Sequence, residues 1–195
     1  TEDIQLSPVS VEKMGLSAIR QSAAPSFFDA IENVKGVQMI TPSLGFKVIN
    51  TRGFTTTTNV RFVQLVDGMD NQAPGLNFAV GSFIGLNELD VESMELLQGA
   101  SSALYGPGGM NGTLLINSKN PFKYQGLSFM IKEGVMHTDS KYRTPSPYHN
   151  WNLRWAKKIG DRFAFKINTE FIQAKDWLAA DYRNVNRANR GSENI

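Results

Sequence analysis

Three segments in the second half of the chain alternate apolar and polar residues over about ten positions each. They are Gly126–Met136, Asn150–Lys158 and Arg162–Lys175. In the second of these, Trp151 and Trp155 fall on one face while Arg154 falls on the other. Because the side chains of a strand point alternately to its two faces, the pattern predicts three β-strands, each with one apolar and one polar face.

The connections between these segments differ in length. Ile159–Asp161 is short enough for a tight turn, whereas His137–His149 is a long polar loop with two prolines. Outer-membrane barrels combine short turns at one end with long loops at the other, and their strands span about 9–11 residues. A soluble antiparallel meander with one wet face fits the alternation equally well. Tryptophans near strand ends or on the apolar face favour the barrel slightly: Trp151, Trp155 and Trp177.

The first part of the chain, residues 1 to about 120, has shorter elements of both kinds. Ser26 begins a helical segment, because Pro25 precedes it and Asp29 follows at the position that closes a capping box. The pattern of Leu89–Gly99 fits a strand or a helix. A short helix is predicted at Ser101–Tyr105, and strands are predicted at Ser7–Val11, Val37–Ile40, Lys47–Gly53, Arg61–Gly68 and Thr113–Lys119.

The composition excludes several kinds of site and partner. The chain has 195 residues, a net charge of +2 and no cysteine. Without cysteine there are no disulfides, thiolate metal sites or cysteine nucleophiles. The net charge is small and the basic residues form no block, so a nucleic-acid partner is not expected. No apolar run approaches the roughly 20 residues that a transmembrane helix needs.

The segment Ser101–Thr113 contains four glycines and raises the question of a phosphate-binding loop. A dinucleotide fingerprint places its glycines after a strand and before a helix, because the phosphate sits at the helix N-terminus. Here the predicted helical turn comes first and the strand last, and Asn111 stands where the third glycine should be. The favoured interpretation is a helix that ends at Gly106, followed by a tight return into a strand.

No residue pattern in the sequence indicates catalysis, a metal site or a cofactor. His137 and His149 both lie in the polar loop, with no carboxylate pattern around them. Asp90 and Glu92 would share one face of a strand, where a general-acid pair is conceivable, but a solvated or Arg-paired face is favoured. These two residues belong to an acidic cluster of Glu88, Asp90, Glu92 and Glu95.

Several segments of residues 7–119 resemble the plug domain of TonB-dependent outer-membrane receptors. "AIENVKGVQM" is similar to the family's helix and the "PGV" that follows it. "VINTRGF" is similar to "I-x-I-R-G", and "VQLVDGMD" is similar to "V-L-V-D-G-V-P". The most specific match runs from Leu86 to Lys119 and includes "SSALYGPGGMNG". One departure is Gln98, which stands where the family has the arginine of "R-G-P".

The resemblance implies a fold in two parts. Residues 1–120 would form an α+β plug domain, which is a small mixed sheet with short helices. Residues 121–195 would form the first three antiparallel β-strands of an incomplete transmembrane β-barrel, with their connecting loops. Receptors of this family have about 22 strands around a plugged lumen, and three strands cannot close into a barrel. We therefore expect the chain to be part of a longer receptor.

The resemblance also implies a function, energised import across the bacterial outer membrane. The plug would occlude the barrel lumen, and a TonB-type protein would pull on its N-terminus in the periplasm. The other partners would be the remainder of the barrel, outer-membrane lipid and a small-molecule or glycan substrate of unknown identity. Neither an enzyme activity nor a cofactor is implied. The competing hypothesis is a soluble α+β protein-interaction domain with an antiparallel meander, whose sheet would be covered by another layer.

The residues that the resemblance marks as functional fall into three groups. Arg52, the arginine of "I-R-G", is the candidate lock between plug and barrel, because in the family it tends to pair with barrel acids. Candidate ligand contacts in the plug apices, Thr41–Phe46 and Asp70–Phe83, are Thr41, Ser43, Phe46, Asn71, Asn77 and Phe78. The family-motif residues with structural roles are Gly53, Asp67, Gly68, Tyr105, Gly106 and Gly112.

Overall fold

Ten strands and four short helices make up the part of the chain that the structure, a computed structural model, describes: residues 11–21, 26–81, 85–137 and 144–177. The strands of the first part are β1 (Val11–Gly15), β2 (Val37–Ile40), β3 (Val48–Thr51), β4 (Phe62–Val66), β5 (Met69–Asp70), β6 (Val91–Gln98) and β7 (Gly112–Ser118). Those of the second part are β8 (Gly126–Met136), β9 (Ser146–Ile159) and β10 (Phe163–Gln173). The helices are α1 (Leu16–Gln21), α2 (Ser102–Tyr105) and two 3₁₀ helices, Phe27–Asn33 and Glu88–Asp90. No helix among the described residues is long and apolar enough to cross a membrane.

A mixed five-stranded sheet dominates the first part, with the strand order β1-β6-β7-β4-β5. β4 and β7 run parallel, and the other neighbouring strands are antiparallel. β2 and β3 form a separate antiparallel pair. This arrangement confirms the small mixed sheet expected from the sequence. The predicted strand Ser7–Val11 lies outside the described residues except for Val11, where β1 begins.

The core of the first part joins this sheet to the 3₁₀ helix Phe27–Asn33. Ser26 caps that helix, since its Oγ accepts a hydrogen bond from Phe28 N at 3.3 Å and its own N–H donates to Asp29 Oδ2 at 3.1 Å. The predicted capping box is therefore present, and it fixes where the helix enters the core. Fully buried side chains at the centre of this core are Phe28, Ile31, Met94 and Leu114.

The segment that the sequence left ambiguous, Leu89–Gly99, forms the strand β6. This strand lies between β1 and β7, and its side chains are buried on both faces, with Met94 and Leu96 on one face and Ser93 and Leu97 on the other. A bulge between Val91 and Ser93 also shifts the register against β7. Burial on both faces and a bulge each disturb the strict alternation by which a half-buried strand is identified.

The second part is an antiparallel three-stranded sheet with the order β10-β9-β8. β8 has the bounds predicted from the alternation, and β10 lies within the predicted segment. β9 begins at Ser146, so the prediction of a loop over all of His137–His149 was wrong. Pro147 and Tyr148 pair with Val135 and Gly134 of β8 instead.

Proline is tolerated at this point of β9 because the strand has only one neighbour there. The pairing with β10 ends at the Gln173–His149 pair, so Pro147 lies beyond the last residue of β10. Proline lacks the N–H that a central strand needs, but at a sheet edge the missing donor breaks no ladder hydrogen bond. The proline that indicated a loop in the sequence thus marks a part of β9 that lies at the edge of the sheet.

The two faces of the three-stranded sheet differ as the alternation predicted. One face is apolar and exposed, with Phe129 at 72% and Trp151 at 49% exposure. The opposite face is polar and buried, with Asn152 and Arg154 each 3% exposed. The competing hypothesis of a soluble domain expects a layer over the apolar face, and none of the described residues provides one.

Candidate functional site

The carboxylate of Asp90 is the centre of a polar cluster that joins the two sheets. Asp90 is fully buried, at 0% exposure. Its Oδ1 accepts a hydrogen bond from Arg154 Nε of β9 at 2.6 Å. Its Oδ2 accepts from two side chains of β10, Lys166 Nζ at 2.7 Å and Asn168 Nδ2 at 2.9 Å. One carboxylate thus connects the beginning of β6 to two strands of the second sheet.

The backbone around Asp90 fixes its side chain in place. Asn87 caps the short 3₁₀ helix, because its Oδ1 accepts a hydrogen bond from Asp90 N at 3.1 Å. The carbonyl oxygen of Asp90 accepts from Lys119 N at 2.7 Å. Asn87 Nδ2 also lies 3.3 Å from the carbonyl oxygens of Leu153 and Thr169, so the turn itself is tied to β9 and β10. The carboxylate therefore needs no rearrangement to meet its cations.

The cluster extends from Asp90 to the tight turn between β4 and β5. Lys166 Nζ also donates to Ser118 Oγ at 2.6 Å, and Ser118 Oγ in turn donates to Asp67 Oδ2 at 2.5 Å. Ser118 N donates to Asp67 Oδ1 at 2.8 Å. Asp67 and Gly68 have φ of 50° and 82°, and two consecutive residues with positive φ are typical of a type I′ hairpin turn.

Replacement of Asp67 by alanine is expected to lower the free energy of unfolding by about 2–3 kcal/mol, since Ser118 would lose both of its hydrogen bonds to the carboxylate and alanine would be strained at φ of 50°. Asp67→Asn is the matched control, because asparagine tolerates positive φ and still accepts one hydrogen bond. Hydrogen exchange of the β4 and β7 amides in the full-length protein measures the difference. Equal losses of protection in the two variants would contradict this role of the carboxylate.

The other acids near Asp90 also bind cations rather than one another. Glu88 pairs with Lys132 of β8 at 2.5 Å, and Glu92 pairs with Lys123 at 3.2 Å. Asp90 and Glu92 therefore do not form a general-acid pair, and the favoured interpretation of an Arg-paired face holds for Asp90. Three acids of the cluster, Glu88, Asp90 and Glu92, thus meet cations on the strands of the second part and on the connection before them, whereas Glu95 pairs with Lys13 of β1 within the first part.

The glycine-rich segment Ser101–Thr113 is closed by its own hydrogen bonds. Ser101 N donates to Gly109 O at 2.7 Å, and Ser101 Oγ lies 2.6 Å from Thr113 Oγ1. Gly106 follows α2 with φ of 83°, as the sequence predicted for a helix end. A Cβ atom on Gly109 would lie 2.9 Å from Ser101 Oγ, so the glycine permits a close approach of the chain to itself.

A comparison with protein families identifies the first part. The model of the TonB-dependent receptor plug domain matches residues 3–113. The chain belongs to this family. TonB-dependent receptors are outer-membrane proteins, and the plug is the part of them that this match covers. A comparison with curated protein sequences gave no match.

Solved structures of siderophore receptors share the fold. The ferric yersiniabactin uptake receptor FyuA from Yersinia pestis has a TM-score of 0.60 at 18% identity, over 87% of this chain and 25% of that chain. The siderophore receptor PirA from Acinetobacter baumannii has a TM-score of 0.60 at 19% identity, with the same coverage. The ferric-catecholate import receptor Fiu from E. coli K12 has a TM-score of 0.58 at 20% identity, over 85% of this chain and 21% of that chain. The chain thus spans about a quarter of these receptors.

The predicted lock residue Arg52 does not form an ion pair with any of the described residues. Arg52 is exposed, with φ of 55°, and its guanidinium lies over Gly99 so closely that a Cβ there would be 2.6 Å from Arg52 Cζ. Gln98, which replaces the family's second arginine, donates to Lys35 O at 2.6 Å within the plug. The pairing of Arg52 with a barrel acid remains a prediction.

Two of the six predicted ligand contacts line one cleft. Ser43 and Phe46 line an open cleft of about 690 Å³ together with Ile172 and Asp176 at the end of β10. Leu44 N lies 3.3 Å from both carboxylate oxygens of Asp176, so this plug loop is tied to the second sheet.

The remaining candidates lie outside that cleft. Phe78 is buried beneath Phe46, with 5.8 Å between the ring centroids. Asn77 is exposed and lines a different cleft, beside Tyr105. Asn71 packs against Gly85, and Thr41 is exposed. Contact of any of these residues with a ligand remains a prediction.

The family-motif residues occupy turns and the ends of elements. Tyr105 closes α2, since its N–H donates to Ser101 O at 3.0 Å. Positive φ angles, which favour glycine, occur at Gly53, Gly68, Gly106 and Gly112.

Sequence reasoning missed that Asp90 connects the plug to β9 and β10. A signal was present, because the acidic run around Asp90 and the inward-facing cations Arg154 and Lys166 have opposite charge. The strand alternation had already placed Arg154 and Lys166 on the polar faces. Asking which plug acids could neutralise cations on those faces would have led to the acidic cluster, although not to Asp90 in particular.

Proposed function

We propose that residues 1–120 are the plug and residues 121–195 the first three wall strands of a transporter that imports a substrate across the outer membrane. The plug occludes the barrel lumen with its N-terminus in the periplasm. A TonB-type protein pulls on that N-terminus and displaces part of the plug, which opens a path for the substrate. The other strands of the barrel, which belong to the full-length protein, complete the barrel wall.

The attachment of Asp90 to β9 and β10 carries this proposal. A plug can close a pore only if it is held at a fixed position against the inner wall. The polar face of the three-stranded sheet is turned toward the plug, and Arg154 and Lys166 on that face meet the Asp90 carboxylate at 2.6 and 2.7 Å. The apolar face of the same sheet is turned away, as in a barrel whose outer surface contacts lipid.

The nature of the substrate is proposed from the structural neighbours. The three neighbours named above are receptors for siderophores or ferric siderophores, and their identity to this chain is 18–20%. Ferric siderophores are therefore the first class to test, before cobalamin, haem and glycans. The cleft between Phe46 and Ile172 is the proposed contact of the plug with this substrate.

Occlusion by the plug is tested by conductance. The full-length protein in a planar lipid bilayer is expected to stay closed, whereas a variant without residues 1–119 is expected to conduct as a wide pore, because large barrels enclose an aqueous channel. Heat-modifiable migration in gels shows whether the variant has formed a barrel. A folded variant that conducts no better than the full-length protein would contradict the proposal.

Energised import is tested in cells that produce the full-length protein as their only receptor for a given ferric siderophore. Uptake of radioactive iron from that siderophore is expected in a strain with TonB and is expected to be absent in the isogenic strain without it. Uptake that is the same with and without TonB would contradict energised import.

A further inference from the structure

The outward face of the three-stranded sheet is organised in rows that cross all three strands. Because each residue on this face lies opposite a residue of the neighbouring strand, the pairings define the rows directly. Three successive rows contain eight apolar side chains and one threonine: Ile131–Trp151–Phe171, Phe129–Leu153–Thr169 and Leu127–Trp155–Ile167. All nine side chains are exposed in this chain.

The next row toward the Ser146 end of β9 is polar on all three strands. It consists of Glu133, His149 and Gln173. The Glu133 carboxylate binds His149 Nδ1 through Oε2 and accepts a hydrogen bond from Trp151 Nε1 at 2.7 Å through Oε1. The indole of Trp151 therefore has its ring in the apolar rows and its N–H at the polar row, which is how tryptophan lies at a membrane–water interface.

The opposite end of the apolar rows is also marked by polar groups. Lys157 points outward beside Phe165, one row below the pair of Trp155 and Ile167. The last row, Ile159 and Phe163, is followed by the turn with Asp161, which is fully exposed, and its partner Lys158. A lysine one row inside a membrane boundary can extend its ammonium group to the headgroups.

The distance between these two ends matches a bilayer. From His149 to Ile159 the strand advances ten residues, or about 33 Å at about 3.3 Å per residue. A barrel strand tilted by about 40° then rises about 25 Å, which is the height of the apolar band on outer-membrane barrels. An apolar surface of this height with polar rows at both ends fits one partner, the hydrocarbon of a bilayer.

We propose that one membrane–water boundary passes through the Glu133–His149–Gln173 row and the other through the turn at Gly160. The proposal rests on the proposed function, because it takes the three strands as part of a barrel wall. Val135 and Pro147, one row farther from the apolar rows, then lie outside the hydrocarbon. The boundary row lies at the same end of the sheet as the Phe46–Ile172 cleft, since Ile172 neighbours Gln173.

Depth measurements with single nitroxide labels test this placement. The sequence has no cysteine in this region, so labels enter only at introduced sites of a cysteine-free full-length protein. Phe129→Cys, Glu133→Cys and Val135→Cys place labels at successive heights on β8, and Ala156→Cys on the inner face is the matched control. Accessibility to oxygen and to a water-soluble nickel chelate is measured in phosphatidylcholine vesicles.

The label at position 129 is expected to be accessible to oxygen and shielded from nickel. The label at 133 is expected about 10 Å closer to water, at the headgroups, and the label at 135 in contact with water. The label at 156 is expected to be shielded from both, because Ala156 faces the plug and is 1% exposed.

One result would contradict only the proposed position of the boundary, and another would also contradict the proposed barrel wall. If positions 133 and 135 were as oxygen-accessible and nickel-shielded as 129, the boundary would lie elsewhere, and only the placement would be wrong. If position 129 were open to nickel, the face would not contact lipid, and the placement would fall together with the barrel wall of the proposed function.

Discussion

Replacement of Asp90 by alanine is expected to weaken the attachment of the plug to the wall strands by about 3–5 kcal/mol. The variant leaves Arg154, which is 3% exposed, without its carboxylate, and it removes one of the partners of Lys166. Removing one member of a buried ion pair costs far more than the net contribution of the pair, because the remaining charge stays buried and uncompensated. The expected loss of stability therefore comes mainly from the buried, unpaired charge of Arg154, and only in part from the lost hydrogen bond.

Hydrogen exchange of the β6 and β7 amides in the full-length protein measures this loss. The matched control is Asp161→Ala, which removes the carboxylate of the exposed Lys158–Asp161 pair and is expected to cost less than about 1 kcal/mol. The double variant Asp90→Ala/Arg154→Met is expected to recover part of the loss, since no buried guanidinium is then left without a partner. If Asp90→Ala exchanged no faster than Asp161→Ala, the carboxylate would not hold the plug.

Asp90 also shows why part of the site was beyond reach of the sequence. Its partners Arg154 and Lys166 are 64 and 76 residues away along the chain, so no local pattern connects them. The family resemblance directed attention to Arg52 instead, which forms no ion pair with any of the described residues. The two members of a long-range ion pair can be matched from a sequence only when the burial of both is known. The strand faces indicated burial for Arg154 and Lys166, but no pattern indicated it for Asp90.

The secondary structure was easier to predict from the sequence than the ion pairs. The prediction was best where the two faces of a strand carry different kinds of side chain. β8 has the predicted bounds because Leu127, Phe129, Ile131 and Val135 fall on its outer face, whereas Ser128 and Lys132 fall on its inner face. β6 remained ambiguous because it is covered on both sides, and the start of β9 was missed because Pro147 lies on an edge. Alternation reports a difference between two faces, so it fails where that difference is absent.

Replacement of Gly112 by alanine is expected to destabilise the plug by about 3–5 kcal/mol, through backbone strain and overpacking together. Gly112 begins β7 with φ of 136°, a conformation that L-residues rarely adopt. A Cβ atom there would lie 3.1 Å from Leu97 O and 3.1 Å from a ring carbon of Phe62. Leu97 O belongs to the neighbouring strand β6, so it cannot move without disturbing the pairing of β6 with β7.

Gly106 is the matched control within the same glycine-rich segment. It has φ of 83°, but no atom lies within 4 Å of the position of its Cβ, so Gly106→Ala is expected to cost only the strain, about 1–2 kcal/mol. Hydrogen exchange of the β7 amides in the two full-length variants measures the difference. Equal costs at the two positions would contradict the conclusion that Gly112 is required by the contact between β6 and β7.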